Sequence, residues 1–159
     1  MSINAARIAD QKGLIPDAIR LYEELVASGV TELIDYLNLI VIYFNCLDFG
    51  YASAVKVDRE VEKNCSNRAL QLIDIAELKF GFNDELTFWR AYIPFLGWGD
   101  EIGKLQLRGD SLIPYVYLAR ENPTEENIQK AKQLYKDIEK LQGSQRRELF
   151  MSKLEIFLK

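Results

Sequence analysis

Along most of this chain apolar side chains return every third or fourth residue, the spacing of a helix with one buried face. The clearest instance is residues 16–28, PDAIRLYEELVAS. Ala18, Ile19, Tyr22, Leu25 and Val26 form one stripe there, and Asp17, Arg20, Glu23 and Glu24 fall mostly elsewhere. Pro16 suits a first helical turn, where an amide hydrogen has no partner, and Gly29 suits the left-handed residue that ends a helix. The same periodicity predicts helices over 3–12, 31–46, 51–64, 66–80, 84–96, 112–121, 123–141 and 144–158. Asn122, Pro123 and Glu125 mark one of these starts with a side-chain cap, a first-turn proline and a glutamate that reaches back. Residues 97–109, with four glycines, read as a connection holding at most a short helix. No stretch alternates with period two, and the run NLIVIYF at 38–44 continues the helical stripe on both sides. The expected fold is all-α, one domain over 1–159, built of antiparallel helical hairpins.

Shifting the chain by 34 residues lays Ala9 on Tyr43, Gly13 on Leu47 and Ala18 on Ala52, each near the same point of its helix or turn. The first hairpin, through Gly13, Ala18, Ile19 and Tyr22, and the second, through Tyr36, Leu39, Tyr43, Asp48, Phe49 and Ala52, resemble tetratricopeptide repeats. The resemblance covers residues 3–65. It implies a short right-handed superhelix whose last two amphipathic helices act as caps, because one hairpin cannot bury its own apolar face. It also implies a groove lined by the first helix of each hairpin. Here that means Arg7, Asp10 and Gln11, then Leu37, Val41, Phe44 and Asn45.

Composition narrows the partner. The 159 residues are enough for one core that removes roughly two thirds of the unfolded surface from water. A net charge of −4 argues against nucleic acid. Residues 1–123 hold 12 basic and 18 acidic side chains, so a basic protein or peptide is the partner favoured by long-range attraction. The longest apolar run, residues 39–44, is too short to cross a bilayer, and the N-terminus lacks the basic and apolar segments of a secretory signal. A cytoplasmic protein is the expectation. Lys132, Lys136 and Lys140, with Arg146 and Arg147, form the best basic patch, which reads as a solvated face.

Catalytic chemistry finds little support. There is no histidine, which removes the commonest general base and the usual triads. Cys46 and Cys65 are isolated thiols without the spacing of a metal site. The carboxylate groupings Glu60/Glu62, Asp84/Glu85, Asp100/Glu101 and Glu125/Glu126 sit mostly at helix starts, where the helix dipole favours negative charge. No enzyme activity and no cofactor are expected. The stretch FWRAYIPFLGW at 88–98 carries five aromatic rings. Phe88, Tyr92 and Phe95 share one face, with Trp89, Ile93 and Leu96 beside them, so most of these rings read as core. Trp98, beyond Pro94 and flanked by glycines, is the ring expected at the surface as an anchor for a partner. The function that fits is a non-catalytic interaction module. A small bacterial immunity- or antitoxin-like protein, or a regulatory domain holding a small ligand near Trp89 and Trp98, are the alternatives.

Overall fold

The computed structural model describes residues 2–99, 105–138 and 140–158. Among them are nine helices and no strand. In chain order they are α1 (Ile3–Gln11), α2 (Ile15–Ser28), α3 (Leu33–Asn45), α4 (Phe49–Ala54), α5 (Arg59–Phe80), α6 (Asp84–Trp98), α7 (Pro114–Glu121), α8 (Glu125–Ile138) and α9 (Gln145–Leu158). The fold is all-α, and no described helix is long and apolar enough to cross a membrane. The connection expected at 97–109 lies partly outside the described residues. Its first part belongs to α6, which runs through Pro94 to Trp98 and closes on a left-handed Gly99.

Local signals explain several ends. Pro16 lies in the first turn of α2, and Gly29 follows its last turn at φ 73°, a conformation glycine adopts without a Cβ clash. The start expected at Asn122 shifts to Thr124, whose Oγ1 accepts the Asn127 amide at 3.2 Å, while the Asn122 carbonyl takes the Asn127 side chain. The break expected near residue 65 lies elsewhere. α4 stops at Ala54, Lys56 takes a left-handed φ of 60°, and Asp58 caps α5 by accepting the Glu60 amide at 2.9 Å. From there α5 is continuous past Cys65 to Phe80.

α3 organises the packing. Every residue from Asp35 to Tyr43 is buried, so this helix has no solvated side. It packs against α2, α5 and α9. α1 pairs with α2, α5 with α6, and α7 and α8 lead back to α9, which reaches α3 from the far end of the chain. The last helix therefore lies against the middle of the fold as well as at its edge. A helix buried all round from Asp35 to Tyr43 cannot leave one face of that stretch in an open groove, and α9 packs on it as part of its cover.

Three buried carboxylates tie these elements together. Asp10 on α1 accepts the Gln145 amide of α9 at 2.7 Å and the Tyr22 hydroxyl of α2 at 3.1 Å, and Tyr22 accepts the Asn38 side-chain amide of α3 at 3.1 Å. Asp84 accepts three backbone amides, from Arg108, Gly109 and Asp110, at 2.7–3.0 Å, which fixes that loop on the start of α6. Glu85 takes Arg146 of α9 in a two-pronged pair, both arms 2.7 Å, and also accepts the Trp89 indole at 3.3 Å. Arg146 is buried in this pair and leaves the basic patch in which the sequence alone put it.

A planar fork on a carboxylate in a dry site is expensive to break because one charge is left alone. Glu85→Ala is expected to lower unfolding free energy by about 3–5 kcal/mol, and the double replacement Glu85→Leu with Arg146→Met to recover most of that loss. Urea denaturation of the three proteins measures both.

Candidate functional site

The rings of 88–98 split between core and surface as helical geometry requires. Phe88 and Trp89 are at most 1% exposed, whereas Leu96 is 50% and Trp98 56% exposed. Around the buried pair, rings from four helices meet. Phe44 of α3 lies 4.8 Å from Trp89, Tyr117 of α7 lies 4.9 Å from Phe88 and 4.5 Å from Tyr92, and Phe150 of α9 lies 6.3 Å from Trp89, all between ring centroids. Those separations suit edge-on and offset contacts and make a stiff aromatic floor.

Above that floor opens a cleft of about 400 Å³. Phe44, Tyr92 and Tyr117 line it with rings, Leu47, Leu96 and Leu149 extend the apolar wall, and Asn45, Asp48, Tyr51 and Lys153 bring polar groups. Five elements contribute: α3 with its following turn, α4, α6, α7 and α9. Leu47 also borders a smaller neighbouring cleft of about 200 Å³ that includes Trp98, Cys46 and Cys65. Leu96 lines the larger opening and Trp98 the smaller one, and Leu47 borders both.

Burial favours the neutral form of the thiols and phenols around the two clefts. Burial pushes the Cys46 thiol up to about 12 and the Cys65 thiol up as well, which removes the thiolate needed for attack. Burial also pushes the Tyr51 phenol up to about 12, and its hydroxyl donates to Gln145 Oε1 at 3.0 Å. The Tyr117 phenol is raised too, by burial first and then by Tyr92 and Glu85 nearby, and its hydroxyl has no hydrogen-bond partner among the described residues. Among the described residues no group of three or more metal-ligating side chains is placed to hold an ion. Stacking, apolar contact and a few hydrogen bonds are what the lining offers.

Of the residues expected to bind a partner, Phe44 and Asn45 line the cleft and Trp98 stands beside it. The others lie elsewhere. Asp10, Leu37 and Val41 are buried, at 0%, 5% and 0% exposure, because α3 is enclosed and Asp10 serves α9. Arg7 clamps the start of α3, with its Nε on Asp35 at 2.8 Å and its Nη2 on Glu32 at 2.6 Å. Gln11 is exposed and lies against Gly143, where an added Cβ would come within 3.1 Å of its Cγ. Tyr51, Tyr117, Leu149 and Lys153 escaped sequence reasoning, and Tyr92 was read as core alone, since only the tertiary fold brings them together. No family model, curated protein or solved structure matches this chain.

Trp89→Ala is expected to cost about 3–5 kcal/mol, since it empties a fully enclosed site, and Trp98→Ala to stay within about 0.5 kcal/mol of the parent. Thermal melting of the two variants separates buried ring from surface ring.

Proposed function

We propose that the protein is a non-catalytic interaction module that binds a protein or peptide through the aromatic cleft and its Leu96–Trp98 rim. One observation carries this reading: two large apolar side chains on α6 are half or more exposed, directly beside a cleft floored by rings. Solvent contact there is unfavourable, and a partner side chain seated on Phe44, Tyr92 and Tyr117 would relieve it. Trp at such a rim is among the residues that dominate binding energy. The acidic balance of residues 1–123 makes a basic partner the better match for long-range attraction, while the cleft itself carries one carboxylate, Asp48, and one cation, Lys153.

The tetratricopeptide-like reading of α1 to α5 as short hairpin repeats belongs to this proposal. Its support is local: Ala6, Ala9 and Ala18 are buried in the close contact of α1 with α2. A cytoplasmic setting is supported by two cysteines that are free and buried. An immunity- or antitoxin-like protein would be one form of the same activity. The small-ligand reading rests on one separate observation, the unpartnered Tyr117 hydroxyl at the cleft.

Affinity purification from the source cell, followed by calorimetry with the recovered partner, tests the reading. Trp98→Ala and Leu96→Ala are each expected to weaken the complex tenfold or more, about 1.4 kcal/mol, without shifting the melting temperature. Unchanged affinity in both variants would refute the assignment of the surface.

A further inference from the structure

We infer that the aromatic cleft takes a free α-amino acid with a large apolar side chain, its ammonium directed to Asp48 and its carboxylate to Lys153. The inference rests on the cleft being a binding site, as proposed above, and adds a small occupant that competes there with the partner.

Two opposite charges face this cleft, and neither is neutralised. Lys63, Lys130 and Lys140 each hold a carboxylate at 3.0 Å or less, whereas Lys153, two turns into α9, has no ionic partner among the described residues. Asp48 uses its Oδ1 to accept the Tyr51 amide at 3.0 Å, which caps α4, and it too forms no ion pair among the described residues. Both side chains line the same opening, yet they lie beyond pairing distance of each other. Opposite charges held apart across water gain little from one another. A molecule that carries a cation for Asp48 and an anion for Lys153 gains from each and displaces the water between them.

The rest of the lining selects the body of that molecule. Tyr92 stands at the centre of the ring floor, its centroid 5.8 Å from Phe44 and 4.5 Å from Tyr117, and Leu47, Leu96 and Leu149 extend the apolar wall. An aromatic or branched apolar side chain covers such a floor. The volume of about 400 Å³ is that of a small-molecule site. Tyr117 adds a buried hydroxyl without a partner among the described residues, and an unused donor favours an occupant with carboxylate oxygens.

A chain end meets only half of these requirements. The C-terminus of a peptide brings the carboxylate without the ammonium, and the N-terminus brings the reverse. A free amino acid brings both charges on one carbon, with the apolar group attached to the same atom. Its side chain occupies the floor offered to the partner, so its concentration sets how readily the partner docks.

Calorimetry on the intact protein, with L-phenylalanine and L-leucine as probes, tests this without any partner. One equivalent of each should bind. N-acetyl-L-phenylalanine and L-phenylalaninamide, which mimic the two chain ends, should each bind about tenfold more weakly than L-phenylalanine, and glycine, with both charges and no apolar body, should not bind measurably. Asp48→Asn keeps the cap on α4 but loses the charge, and should reduce L-phenylalanine to the affinity of its N-acetyl form. Lys153→Met keeps the stem and should reduce it to that of the amide. No saturation by either amino acid up to about 10 mM, equal affinity for the free and blocked forms, or unchanged affinity in both variants would overturn the inference. The partner reading stands or falls separately. Amino-acid binding that leaves the partner complex intact counts against the cleft as the partner's site, whereas a complex weakened by Trp98→Ala in a protein that binds no amino acid counts against the amino acid alone.

Discussion

α3 has no side that water can wet, and the rest of the molecule is arranged to meet that constraint. Nine successive residues, Asp35 to Tyr43, are buried, so neighbours must arrive from several directions. α2 and α5 come from either side in sequence, and α9 has to return across the whole chain to complete the enclosure. The hydrophobic effect drives that return without directing it. Direction comes from hydrogen bonds that only one arrangement satisfies.

Those bonds form a pattern. Asp10, Asp84 and Glu85 are all buried carboxylates, and each reaches outside its own helix, to α9, to the loop at 108–110 and to α9 again. None adds much net stability, because desolvation offsets most of the gain. Each does make an alternative packing costly, because a displaced helix would strand a charge or an amide in a dry place. The cleft inherits its definition from these ties: two of its lining side chains ride on α9, whose first turn is held at Gln145 and Arg146.

Part of this was legible in the sequence. Helical periodicity gave the fold class, proline and glycine marked α2, and the flanking glycines of Trp98 pointed to an exposed ring. The break at Val55–Asp58 was hidden because the left-handed residue is Lys56, a type that seldom marks a turn. Asp10, Leu37 and Val41, assigned to a groove, are buried for another reason: repeat spacing describes how a hairpin meets its neighbours, and nothing in residues 3–65 reveals that a helix starting at residue 145 will pack on α3 and take Asp10 as its cap. The run NLIVIYF carried the hint, since a stretch without a polar side needs more cover than one hairpin provides. The cleft was not legible at all, because its residues come from five elements and share no local pattern.

The tie between Asp10 and Gln145 also bears on how the molecule is made. Synthesis delivers α1 first and α9 late, so the hairpin of α1 and α2 emerges from the ribosome with its carboxylate lacking the Gln145 amide and with α3 incompletely covered. Closing so distant a contact is slow compared with forming the local hairpins. The nascent chain should therefore pass through a stage with its central helix partly open, and a chaperone that recognises bare apolar helices has its opportunity during that interval.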